Sequence, residues 1–124
     1  MTDQPERREF PRLSMRLSVS YRELESPRSG RSLTKNVGGK GIRFTSEQPL
    51  HIGTRLEVTL SLPDRTQPIT FIGEVAWSEM CYDAAQRKPT VEVGVRFVKI
   101  DPRDQQFLAQ YSQLYGSSEP PEAA

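Results

Sequence analysis

Two short stretches of this chain hold residue types whose spacing could do chemistry. The first is RREFPR at positions 7–12, where Arg7, Arg8 and Arg12 crowd one polar segment, and the second is NVGGKG at positions 36–41. A guanidinium group is a planar fork of N–H donors that grips a two-oxygen anion in bidentate fashion, which a lysine ammonium cannot do. The formal net charge of the chain is only +1, so there is no general excess of positive charge for such a cluster to reflect. It needs either a local anion or the ordinary fate of basic runs, which is to be solvated. In the second stretch, Gly38, Gly39 and Gly41 fit a hairpin turn that requires positive φ. A nucleotide-binding phosphate loop, GxxxxGK[ST] between a strand and a helix, does not match, because this segment joins two strands.

Other chemistry is poorly supplied. One histidine, His51, and one cysteine, Cys81, cannot assemble the three or four nitrogen and sulfur ligands of a zinc site, and Cys81 has no intrachain partner for a disulfide. His51 is expected in a turn beside Gly53. Acid–base catalysis wants a poised histidine or a carboxylate pair in a pocket, whereas the carboxylates here fall on outward strand positions or in loops, so neither an enzyme nor a cofactor is expected. No apolar run approaches the roughly 20 residues that span a bilayer. The N-terminal residues MTDQPERREF lack the apolar core of a secretory signal, so a cytoplasmic location is the expectation.

The elements that must position the two stretches are mostly strands. With 124 residues, one domain is expected, burying roughly two-thirds of the surface exposed by the unfolded chain. Leu17, Val19 and Tyr21 alternate with polar residues, as do Leu56, Val58, Leu60 and Leu62, and a strand half buried on one face has this period of two. Ile69, Phe71, Gly73, Val75 and Trp77 read as a continuous third alternation, and Val91, Val93, Val95 and Phe97 as a fourth. Shorter strands at 31–35 and 41–45 flank the NVGG turn. Six evenly spaced short strands make a small barrel or a sandwich, and closure would remove exposed edges. The period then changes. Asp101 can cap a helix, Pro102 suits its first turn, and Phe107, Leu108, Tyr111, Leu114 and Tyr115 fall on one stripe. Gly116 stops it. A flexible arm at 1–12, a disordered tail at 116–124 and a loose loop at 80–89 complete the expectation.

Taken together, the two stretches resemble the paired motifs of PilZ domains: Arg8 and Arg12 have the RxxxR spacing, and Asn36 to Gly41 are similar to [D/N]xSxxG. The likeness extends to GIRF at 41–44, GEVAW at 73–77 and GVRFVKID at 94–101, and so covers roughly residues 6–115. The resemblance implies a mainly β fold, a six-stranded antiparallel barrel over 13–115 that includes a C-terminal helix. It implies a receptor for the second messenger cyclic di-GMP that signals to a protein partner. By the same resemblance Arg8 and Arg12 hold the phosphates and the Hoogsteen edges of guanine, Asn36 contacts a guanine, and Gly41 lets the loop approach closely. An arginine at the place of Arg7 implies two intercalated ligand molecules. Trp77 either borders the site or closes the barrel.

One departure stands out, since the serine of the motif is Gly38 here. The lost hydroxyl is worth about 0.5–1.5 kcal/mol, a factor of roughly two to ten in affinity, which weakens a site without abolishing it. Two alternatives remain at this point. One is a divergent adaptor of the same fold that acts through protein contacts without the nucleotide. The other is a single-stranded nucleic-acid binder, disfavoured because acids nearly equal bases and few aromatics face outward. Arg43 and Arg96 form an outward basic pair that either extends the ligand site or stands apart from it.

Overall fold

The computed structural model describes residues 16–63 and 65–115, with side chains described to residue 113. The arm at 1–12, the tail at 116–124 and the stop at Gly116 lie outside the described residues. Six strands run in chain order: β1 (Ser18–Glu23), β2 (Ser29–Val37), β3 (Gly41–Ser46), β4 (Arg55–Ser61), β5 (Ile69–Asp83) and β6 (Lys88–Lys99), followed by helix α1 (Pro102–Tyr115). Every pairing is antiparallel, and the order β1-β2-β3-β6-β5-β4 closes into a barrel. The expected six-stranded antiparallel barrel with a C-terminal helix is thus the observed fold.

The interior is filled by the residues that carried the alternation. Leu17, Val19 and Tyr21, with Leu56, Val58, Leu60 and Leu62, are all buried, as are Ile69, Phe71, Val75, Val91, Val93 and Val95. Phe44 has no exposed surface and lies with its ring centroid 5.3 Å from that of Tyr21. The Tyr21 hydroxyl is satisfied by the Ser46 hydroxyl at 3.0 Å and by the Gln48 amide, which donates to it at 3.3 Å. His51 precedes the turn at Ile52 and Gly53, as expected, and Gly53 takes φ 94° there.

Two expectations from periodicity fail. Strand β5 does not continue one alternation to Trp77: the register against β6 shifts between Val75, which pairs with Val95, and Trp77, which pairs with Gly94. The extra residue, Ala76, is a bulge, so Trp77 shares the outer face with Gly94 instead of the interior with Val95. A barrel-closing tryptophan is therefore excluded. Nor is 80–89 a loose loop. Strands β5 and β6 stay paired to Asp83 and Lys88, forming a ribbon that outruns the barrel. The Asp83 carboxylate ties its tip by accepting from the backbone N–H groups of Ala85 (3.0 Å) and Gln86 (3.2 Å), with Arg87 at φ 57°. Pro89 is tolerated because its N–H would point away from β5.

Helix α1 starts where the cap was expected. The Asp101 carboxylate accepts from the Arg103 backbone N–H at 2.8 Å, and Pro102 supplies the first residue. Leu108 and Tyr111 bury the helix on the barrel, and the Arg65 guanidinium lies 5.0 Å over the Phe107 ring. The backbone hydrogen bond from Arg103, reinforced by its side chain, holds the Asp101 carboxyl below its usual value. A depressed carboxyl adds stability above the unfolded-state pKa and loses it as pH falls through the lower folded one. Asp101→Ala should accordingly lower the melting temperature at neutral pH, and the gap to the native chain should close in strong acid, as thermal melts across pH would show.

Candidate ligand-binding site

Two of the three register shifts among the described strands serve one patch of the outer face; the third falls in β6 at Val98, between Phe97 paired with Gly73 and Lys99 paired with Ile72. In β2 the register shifts between Thr34, paired with Phe44, and Asn36, paired with Arg43. The extra residue at Lys35 turns Asn36 outward just as Ala76 turns Trp77 outward. Across the sheet the partners form a single row, Asn36, Arg43, Gly94 and Trp77, drawn from β2, β3, β6 and β5. The next row holds Gly41, Arg96 and Glu74. Side chains directly across antiparallel strands stand about 4.5–5.5 Å apart at Cβ, so these residues share one surface.

Glycines set the depth of this surface. A methyl group on Gly94 would lie 2.3 Å from Trp77 Nε1 and 2.4 Å from its Cε2, so the indole covers the bare Gly94 backbone. A methyl on Gly41 would lie 2.1 Å from the Val95 carbonyl oxygen. Gly39 packs on helix α1, where its added methyl would meet Ala109 Cβ at 3.1 Å, and the Gln105 amide donates to the Gly39 carbonyl at 2.7 Å. The β2–β3 turn is closed by the Gly38 N–H to Gly41 carbonyl bond (2.9 Å) and anchored by the Phe97 N–H to Lys40 carbonyl bond (3.0 Å). Positive φ is not the reason for its glycines, contrary to the hairpin expectation: among the described glycines only Gly53 has it. Gly39 and Gly41 are needed for space, and Gly38 is not, since a methyl there meets nothing nearer than the Gly41 carbonyl oxygen at 4.0 Å.

The result is a depression of about 110 Å³. Asn36, Gly38, Gly41 and Trp77, four positions singled out in the sequence, line it together with Lys40, Arg43 and Arg96. Arg7, Arg8 and Arg12 lie outside the described residues. Arg96 is held by the Glu74 carboxylate, which offsets its charge. Arg43 is not so neutralised: its Nε and the Asn36 Nδ2 are buried donors with no hydrogen-bond partner. Each unmet buried donor costs about 1–3 kcal/mol, a penalty that an acceptor atom of a ligand would relieve. A larger groove between β2 and the β5–β6 ribbon carries no net charge, because Arg16, Arg31 and Lys35 are matched there by Glu47, Asp83 and Glu92, with Lys35 paired to Glu92 at 2.7 Å.

Lys40 and Gly94 were missed in the sequence. Gly94 left a signal, a glycine inside a run of valines, which marks close approach of another group to a strand. Lys40 left none, because a lysine in a polar turn is ordinary. Among the described residues no group of three histidine, cysteine or acidic side chains is placed to hold a metal ion, and no helix is long and apolar enough to cross a membrane.

Comparison with known proteins places this geometry in context. The fold is similar to that of the inhibitor of motility MotI/DgrA of Bacillus subtilis, with TM-score 0.64 and 21% identity over 86% of this chain and 49% of that one. It is similar to the PilZ domain of Escherichia coli YcgR, a structure described with c-di-GMP, with TM-score 0.60 and 13% identity over 82% of this chain and 83% of that one. It is also similar to Klebsiella pneumoniae MrkH in its apo state, with TM-score 0.68 and 13% identity over 83% of this chain and 47% of that one. The chain thus spans about half the length of MotI/DgrA and of MrkH. No curated protein sequence matches it. The PilZ domain family model matches residues 6–114, nearly the whole chain and both motif stretches, and the chain belongs to the PilZ domain family.

Proposed function

We propose that this chain is a receptor for cyclic di-GMP that passes the signal to a protein partner, with no catalytic step of its own. The observation that carries the reading is the pair of unsatisfied donors, Asn36 Nδ2 and Arg43 Nε, in the depression beneath the motif glycines. Guanine offers O6 and N7 as acceptors, and the phosphodiesters offer anionic oxygens, so the ligand supplies what both donors lack. A depression of this size seats one base or one phosphate, and the rest of the dinucleotide lies above it. There Arg7, Arg8 and Arg12 hold the phosphates and the Hoogsteen edges of guanine. Trp77, half buried over Gly94, offers an indole face for stacking, and the absence of a side chain at Gly41 allows close approach. With Arg7 preceding the arginine pair, two ligand molecules bind per chain.

Calorimetric titration with cyclic di-GMP at physiological salt tests the reading directly. Two molecules per chain are expected, and absence of binding would leave the fold as a nucleotide-independent adaptor. Charged hydrogen bonds are worth about 1.5–3 kcal/mol, so Arg8→Ala or Arg12→Ala should each weaken binding about ten- to hundredfold while thermal stability is unchanged. Equal affinity in the double variant would refute the arginine assignment.

Asn36→Leu separates binding from folding. The Asn36 amide donor is unpaired in the free protein, so its removal sacrifices no hydrogen bond, and the melting temperature should hold or rise. Affinity should fall at least about fivefold in the same titration, one hydrogen bond to the ligand being lost.

Gly38→Ser should strengthen the site. Gly38 has no positive φ, and an added methyl would meet nothing closer than ordinary van der Waals contact with the Gly41 carbonyl oxygen at 4.0 Å, so serine fits without strain. A restored hydroxyl adds one bond to the ligand and stiffens the turn, for a gain of up to about tenfold in affinity. Weaker binding by this variant would show that the ligand passes over the turn at a distance where only glycine is accommodated.

A further inference from the structure

Barrel closure leaves some stretches of strand paired on one side only, and the longest among the described residues is in β5. Strand β4 covers β5 only from Ile69 to Glu74, and Val75 then gives its N–H to Thr54 and accepts from Gly53, completing that side. Beyond Ala76, β5 is paired with β6 alone, so residues 77–83 present an open edge among the described residues. Counting from Val75 through the bulge, the backbone groups of Ser78, Met80 and Tyr82 aim at that edge and those of Trp77, Glu79 and Cys81 at β6. Pro89 opposite Tyr82 agrees with this phase, since the pair exchanges no N–H. The three most exposed large apolar side chains of the described structure border the same edge. Met80 (69%) and Tyr82 (65%) lie along it, and Ile52 (68%) sits at its end, in the loop whose Gly53 and Thr54 bond Val75. Open edges are normally blunted by proline, lysine or a covering segment. Neither proline nor lysine occurs at 77–83.

We infer that this edge is a self-association surface, on which a second copy of the chain adds its own β5 antiparallel about a two-fold axis at Met80. The edge is complementary to itself. In that register Met80 faces the partner's Met80, Ser78 faces the partner's Tyr82, Glu79 faces the partner's Cys81 and Trp77 faces the partner's Asp83, so no like charges are directly opposed. The added strand lies in line with β4, which brings the ribbon tip of one copy to the loop at 51–54 of the other. Exposed Arg55, at the start of β4, there meets the partner's Asp83, and Ile52 meets the partner's Ala84. The charge contact and the apolar one each occur twice by symmetry, as an isologous dimer requires, and the opposite charges of Arg55 and Asp83 are what favour a second copy over an unrelated strand.

Sedimentation of the full chain from micromolar to several hundred micromolar, on the order of the range in which small interfaces associate, tests the inference. A monomer–dimer equilibrium is expected. Met80→Pro removes an N–H aimed at the open edge and none used by β6, so it should weaken dimerisation at least about tenfold without loss of fold. Met80→Lys provides the same readout if proline disturbs the ribbon. In a Cys81→Ser background, Met80→Cys should form an interchain disulfide on oxidation, because cross-strand Cα atoms about 5.5 Å apart suit that bond. A chain that stays monomeric at the highest concentration would overturn the inference. So would a dimer indifferent to both Met80 substitutions, or an edge that captures a strand of another protein while never pairing with itself.

Discussion

Because successive residues of a strand point to opposite faces, one extra residue at Lys35 in β2 and one at Ala76 in β5 exchange inside for outside in the residues beyond them. Without those bulges, Asn36 and Trp77 would point into a barrel whose interior Phe44, Val75 and Val95 already fill. With them, an amide and an indole reach the outer face in line with Arg43 and Gly94. The depression therefore depends on a local defect in the ladder, and its chemistry is set by which side chains that defect delivers. Keeping the two donors of Asn36 and Arg43 buried and unpaired is a cost to the free protein of about a few kcal/mol, which is tolerable only where the surrounding barrel is well packed.

The glycines of the β2–β3 turn work through contact distance. Gly41 lies so close to the Val95 carbonyl that any side chain would push β3 away from β6, and Gly39 lies so close to Ala109 that helix α1 rests directly on the turn. The Gln105 amide closes the same contact by donating to the Gly39 carbonyl. The turn beside the depression is thereby joined to the C-terminal helix by packing and by one hydrogen bond. The Arg65 to Asp104 pair and the Arg65 to Phe107 contact fasten the first turns of that helix to the segment after β4.

Closure of the barrel also governs what is left open. Strands β5 and β6 are longer than their neighbours, so the hairpin they form extends beyond the ring of six. The surplus gives the fold a two-stranded ribbon whose outer edge no other described strand reaches. Its tip is rigidified by the Asp83 carboxylate, and the Lys88 to Glu47 pair ties it to the segment after β3. Both the outer-face depression and the open edge adjoin Trp77.

Sequence by itself determined the strands and the helix, because a period of two in Leu17 to Tyr21, Leu56 to Leu62 and Val91 to Val95 is what a strand shows when one face must be dry; it left barrel and sandwich both open until the motif resemblance favoured the barrel. It also determined the family, through the spacing of Arg8 and Arg12 and of Asn36 and Gly41, and it marked the helix start, through an aspartate and a proline whose preferences are local. What it could not determine was parity after a bulge. An inserted residue leaves no mark in hydropathy, so the alternation alone grouped Trp77 with the interior residues of β5 while the motif resemblance left it either at the site or closing the barrel, and the polar ribbon at 80–89 read as a loop. Only the tertiary structure, by fixing which backbone N–H meets which carbonyl across β5 and β6, set Trp77 over Gly94. The β2–β3 pairing put Arg43 beside Asn36, and the end of β4 at Arg55 left the far side of β5 open beyond Ala76, since those facts depend on partners distant in the chain and on no residue's own preference.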